Sequence, residues 1–246
     1  MPANRRSHSG IGKGDGPLKD KALLSWSSGK DSAWALQRLR QTNEVDVVGL
    51  VTSFNSAFDR VAMHGVRRQL VEAQARAVNL PLWTVELPWP CCNEEYEERF
   101  QAVVRQAVGD GIRCFAFGDL FLQDIRHYRE KQLLGTGLEP LFPIWTTPDK
   151  TPALAHDMIE QGLGSILTCV DPRRLAKQFV GRYFDESLIK DLPPHVDPCG
   201  ENGEFHTFCY ASSEFDHPIG VSVSEPIERD GFWFADLVPR VEARNG

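Results

Sequence analysis

The chain has no run of about 18 apolar residues, the minimum for a helix that crosses a membrane, so no membrane span is expected. It has no surplus of basic charge. Its 27 Lys and Arg face 34 Asp and Glu, a net charge of −7, which argues against broad nucleic-acid binding and leaves room only for a local basic patch. It has no Cys-x-x-Cys. Cys91, Cys92, Cys114, Cys169, Cys199 and Cys209 are scattered, and an adjacent pair such as Cys91-Cys92 is poorly spaced to chelate one zinc. The first twenty residues contain Arg5 and Arg6 but no apolar stretch of a secretory signal. They read as a Gly- and Ser-rich flexible tail, and the expected setting is the cytoplasm with reduced thiols. Neither common phosphate-loop pattern is present near the first strand: no Gly precedes Gly29-Lys30 at the Gly-x-x-x-x-Gly-Lys spacing, and Gly-x-Gly-x-x-Gly is absent there. No internal repeat stands out.

What remains is ordinary globular material. At 246 residues, 41% hydrophobic and 25% charged, the chain can bury one large core, or one core and a smaller second one. Its first half alternates. Ala22–Trp26, Val45–Thr52, Leu82–Leu87 and Arg113–Phe117 read as strands, and Asp31–Arg40, Val66–Val78 and Glu94–Val108 as helices with apolar faces at helical spacing. Such repeats predict an α/β fold: a parallel sheet with helices on both faces, and a ligand site beyond the carboxyl ends of the strands. Helices follow over Ile125–Leu134 and Pro152–Gly162, then a strand at Ser165–Val170 and a short helix at Phe184–Lys190. Gly220–Glu228 and Phe232–Val238 read as a hairpin about Asp230-Gly231. Four prolines from Pro140 to Pro152 punctuate a transition. The expected organisation is therefore a tail over 1–20, a nucleotide domain over 21–145 and a smaller α+β domain over 146–246.

Two segments carry chemistry. Ser27-Ser28-Gly29-Lys30-Asp31-Ser32 follows a strand and opens a helix. Small residues let backbone N–H groups approach an anion, the helix start adds partial positive charge, and Lys30 adds a full one. The loop suits a pyrophosphate. If its second position needs a positive φ, Ser28 is strained there. The second segment, Asp197 to Thr207, gathers Glu201, Glu204, His206 and Thr207 around Gly200 and Gly203. These groups suit acid–base work, an amine or a metal, although no recognised zinc spacing occurs and no metal ligands are assigned. A polar loop satisfied by its own backbone is the plain alternative.

The first loop resembles the pyrophosphate loop of the N-type ATP pyrophosphatases, usually Ser-Gly-Gly-Lys-Asp-Ser, with Ser28 replacing a Gly. Further marks are Met63-His64-Gly65-Val66, Gly118-Asp119-Leu120 with Arg126, Arg129 and Glu130, Gly137–Trp145, and Gly203-Glu204-Phe205-His206-Thr207. In that order they resemble the diphthine–ammonia ligase-like family of the PP-loop superfamily, over about 21–239. Cys169–Pro172 and Asp197–Asn202 look like a bacterial-type branch, whose acceptor need not be diphthine.

The resemblance implies an adenine-nucleotide α-hydrolase-like (HUP) sheet and a ligase using ATP and Mg²⁺. A carboxylate attacks the α-phosphate, pyrophosphate leaves, and ammonia or an amine converts the acyl-adenylate to an amide. The resemblance assigns nucleotide contacts to Ser25, Trp26, Ser27, Ser28, Gly29, Lys30, Asp31, Ser32, Ser53, Phe54, His64, Arg126 and Arg129. It assigns catalytic roles to Asp31, Asp119, Glu201, Glu204, His206 and Thr207. Partners would be ATP, ammonia or an amine, and a carboxylate on a small molecule or protein. Oligomeric state is open, with a homodimer among the expectations. A PP-loop tRNA-modifying enzyme and a non-catalytic ATP-binding protein are the alternatives.

Overall fold

The computed structural model describes residues 19–62 and 64–240. Most of the expected tail, and Met63 of the second motif, lie outside the described residues.

The first half follows from its alternating pattern. Strands β1 (Lys21–Ser25), β2 (Asp46–Asn55), β4 (Leu82–Leu87), β5 (Cys114–Ala116) and β6 (Glu139–Leu141) run parallel in the order β4-β2-β1-β5-β6. Consecutive side chains point to opposite faces. Leu23, Val51, Val85 and Phe115 pack on one face against Phe100, Val103 and Val104 of α3 (Asn93–Gly109) and Leu133 of α4 (Gln123–Leu133). Leu24, Leu50, Phe54 and Ala116 pack on the other against α1 (Lys30–Thr42) and α2 (Arg68–Ala77). Both faces are covered, as an all-parallel core requires.

Strand order reverses between β1 and β5, where a crevice opens at their carboxyl ends. A short antiparallel strand, β3 (Arg60–Val61), pairs with Phe54 and Asn55. β4 already occupies the other edge of those residues, so β3 lies past the end of β1 and walls the crevice.

In the second half, β7 (Gly164–Val170) is the centre of an antiparallel sheet. It pairs with β8 (Phe205–Ala211) on one side and β11 (Phe232–Phe234) on the other, with β10 (Ile227–Arg229) at the edge. Helices α5 (Thr151–Glu160) and α6 (Glu186–Asp191) accompany it. One buried cluster joins Leu36 and Leu70 of the first half to Leu167 and Phe208 of the second.

Three expectations on local structure are corrected. The stretch beginning at Phe205 is strand, not loop, because its hydrogen bonds are taken by β7. Gly220–Glu228 is not one strand. It breaks before Pro226, and β9 (Val221–Val223) pairs with β12 (Leu237–Pro239) instead. The proline-rich transition contains β6, where Pro140 is tolerated because the strand is an edge. The hairpin turn itself is as expected: Asp230 and Gly231 have φ of 52° and 80°, the left-handed pair such a turn needs.

Candidate active site at the carboxyl ends of β1 and β5

The loop after β1 is held by side chains far away in sequence. Ser28 takes a φ of 72°, costly for a residue with a Cβ. Its carbonyl accepts hydrogen bonds from the Cys209 N–H at 2.8 Å and the Gln74 side chain at 3.0 Å, which fix the turn. Gln74 also donates to the Cys209 carbonyl at 2.6 Å and accepts from the Trp26 indole at 2.9 Å. The helix α1 has no cap from its own N-terminus; Thr207 Oγ1, on β8, accepts from the Lys30 N–H at 3.0 Å instead. Two glycines allow this closeness. A Cβ on Gly29 would stand 3.1 Å from the Thr207 carbonyl, and one on Gly118 3.1 Å from the Asp31 backbone. Ser27 and Ser32 line the cavity that results.

Lys30 is buried at this loop. Its Nζ donates to both Asp31 oxygens at 2.8 Å and to the Cys199 carbonyl, with the Phe184 and Phe205 rings each 5.6 Å away. Burial alone pushes its pKa down, but the acidic groups around it, Asp31 first, together outweigh this and hold it above the ordinary lysine value.

Opposite stand Asp119 and Glu201. Burial raises Asp119, although Arg129 Nε lies 3.6 Å from its Oδ2. That buried oxygen has no hydrogen-bond partner among the described residues. Glu201 reaches across from the second half, where its Oε1 accepts from the Leu120 N–H at 2.7 Å. Burial, with Asp31 nearby, pushes its pKa up to about 8. His64 and His206 stack with centroids 4.3 Å apart. Burial first, then the Lys30 ammonium, brings His206 down to about 4. Burial and His206 hold His64 well below its usual range. Burial thus favours the neutral form of both imidazoles.

Ser25, Ser27, Lys30, Asp31, Ser32, His64, Asp119, Arg129, Glu201, His206 and Thr207 share one polar cavity of about 220 Å³. Ser25, Ser27, His64 and Arg129 also line an adjoining cavity of about 440 Å³, with Ser53 and the rings of Tyr96, Phe100 and Tyr128.

Of the expected residues, Ser28 and Gly29 line neither cavity and only shape the turn, and three more stand elsewhere. Phe54 is fully buried in the core, because it faces the side of β2 opposite Ser53. Arg126 lies over the Phe142 and Trp145 rings at 4.7 and 4.9 Å and pairs with Glu130. Glu204 does not line the cleft. Its Oε1 accepts from the Asp197 N–H and the Asn202 side chain, each at 3.1 Å, so it serves its own loop. Trp26 lines the larger cavity, but its indole is buried and bonded to Gln74.

The sequence did not single out Gln74, Tyr96 or Cys199. Gln74 had a signal, as an amide on the apolar face of α2 between Val71 and Ala75. Cys199 acts through its carbonyl, which no side-chain pattern encodes.

No curated protein matches this chain. Among solved structures it is similar to the U34-tRNA thiolase NcsA from Methanococcus maripaludis with its 4Fe-4S cluster, at 16% identity and a TM-score of 0.36. The similarity covers 58% of this chain, and the chain spans 58% of that protein's length. Residues 20–138, which carry β1 to α4 and the Ser27–Ser32 loop, match the family model of the diphthamide synthase N-terminal domain, and this part of the chain is thus similar to PP-loop ATP pyrophosphatases.

Proposed function

We propose that this protein is an ATP-dependent, AMP-forming amide ligase. One observation carries the reading. A small-residue loop with a buried lysine opens at the strand-order reversal, and the polar cavity there joins a cavity walled by aromatic rings. That shape suits a nucleotide, with its base among Tyr96, Phe100 and Tyr128 and its phosphates at Ser27–Ser32.

Lys30 and the α1 start would hold the leaving pyrophosphate and stabilise its growing charge. Asp31 and Asp119 stand beside the same place, and two carboxylates next to a polyphosphate call for a cation. Asp119 Oδ2, without a hydrogen bond among the described residues and with Arg129 Nε 3.6 Å away, could face a Mg²⁺ carried in on the phosphates, which would offset that charge. Among the described residues no three His, Cys, Asp or Glu are grouped to hold a metal by themselves.

In the first step an acceptor carboxylate oxygen bonds to the α-phosphorus and the bond to the β-phosphate oxygen breaks. The products are acyl-adenylate and pyrophosphate. In the second, ammonia attacks the acyl carbon, AMP leaves, and the surplus proton is taken up by the phosphate of the departing AMP. Glu201, pushed up to about 8 by burial, favours its protonated form, which limits negative charge beside the phosphates.

The test is product chromatography with α- and γ-labelled ATP, ammonium and a panel of carboxylic acids. AMP and pyrophosphate are expected in equal amounts. ADP and inorganic phosphate as the main products would remove the reading.

A further inference from the structure

Outside the nucleotide cleft lies another cavity of about 440 Å³, between the β2–β3 corner and the β10–β11 hairpin. Phe58, Trp89, Phe232 and Phe234 line it. Phe58 and Trp89 stand at its edge 53% and 61% exposed, their rings meeting edge to face at 5.7 Å. Two large rings held together in water leave apolar area unburied unless something covers them.

The wall is built for closeness. A Cβ on Gly65 would stand 3.2 Å from the Phe234 ring, and the φ of 68° there already favours glycine. Charge is placed at the rim. Arg60 is committed to Asp236 through two hydrogen bonds, at 2.8 and 3.1 Å. Arg229, beside the Asp230-Gly231 turn, has no carboxylate partner among the described residues, and its guanidinium lies 5.8 Å from the Phe234 centroid.

The cavity also touches the cleft. His206 lines both it and the polar cavity, and Val61 and Ala62 line both it and the base-side cavity. A molecule seated among the rings would have one end at His206 and the other near Arg229.

We propose that this cavity seats the acceptor, and that the acceptor is a small aromatic carboxylic acid. Its ring lies between Trp89 and the β10–β11 hairpin, its reacting carboxylate lies at His206, and Arg229 pairs with a second anionic group. The assignment of the molecule as acceptor rests on the ligase reading above. The cavity's preference for flat acids does not.

Calorimetry on the full chain decides it, with three probes: naphthalene-2-carboxylate, naphthalene-2,6-dicarboxylate and succinate. The dicarboxylate should bind at least tenfold more tightly than succinate, and more tightly than the monocarboxylate. Trp89→Ala, an exposed site whose melting curve should match the parent, should weaken both aromatic probes about tenfold and leave succinate unchanged. Arg229→Ala should erase the advantage of the dicarboxylate. Aromatic probes that bind no better than succinate, or that ignore Trp89→Ala, would overturn the proposal. If the probes bind as expected but no acid yields AMP, the ligase reading fails and the cavity assignment stands. If succinate drives AMP formation as fast as the aromatic acids, the cavity assignment fails and the ligase reading stands.

Discussion

The loop after β1 and the segment leading into β8 meet in one cleft, yet they present polar groups by opposite means. The first does so from one short run of consecutive residues. Six consecutive residues make a turn with Ser28 at a φ of 72°, and Gly29 is the N-cap of α1, whose Lys30 N–H is taken by Thr207 Oγ1. The second does so through distant contacts. Glu201 faces the cleft because it bonds the Leu120 N–H, while Glu204, three residues on, bonds the Asp197 N–H of its own loop. A small-residue turn is written in contiguous sequence. Placement of a carboxylate is settled by whichever donor the fold brings near.

Lys30→Ala strikes the point where the regions join, since Lys30 bonds Asp31 on one and Cys199 on the other. It should weaken ATP binding by about 1.5–3 kcal/mol, roughly ten- to a hundredfold in Kd. Calorimetry that finds parental affinity would remove Lys30 from the nucleotide site.

Glu201→Gln and Glu204→Gln divide the second region internally. Glu204→Gln should leave AMP formation within about threefold of the parent, since the residue lies outside the cleft. A loss of about a hundredfold, the size expected for a general acid or base, would return Glu204 to the chemistry. Glu201→Gln should show in stability against pH. The folded value of about 8 lies above the ordinary carboxylate value of about 4.3. Between the two, the unfolded chain releases a proton that the folded chain keeps, so parental stability falls as pH rises across that window. A glutamine mimics the protonated form. The variant should therefore gain melting temperature over the parent on going from pH 5 to pH 9, and a constant gap would refute the shift.

The smallest effect concerns Thr207, which caps α1 from the other region. Thr207→Val should cost about 1 kcal/mol of stability, and Thr207→Ser much less, by chemical denaturation.

Much of this was legible in the sequence, and the reasons differ by place. The parallel sheet could be read because strands buried on both faces leave continuous apolar runs, as at Val45–Thr52. The Asp230-Gly231 turn was legible because its backbone demands those residues. Which strand β9 would join was not, since a three-residue strand carries too little pattern to choose a partner. Phe54 is an error of phase: Ser53 and Phe54 are adjacent, so only one can face the cavity. Arg126 and Arg129 lie nearly one helical turn apart, and what separates them is the ring beneath each, Phe142 and Trp145 for the first and Phe117 for the second.

The central claim is that both regions form one nucleotide site. Hydrogen–deuterium exchange of the full chain, with and without ATP and Mg²⁺, tests it most directly. Slowed exchange should appear at residues 25–32 and again at 199–207. Protection of 25–32 with none at 199–207, or at neither, would contradict the account.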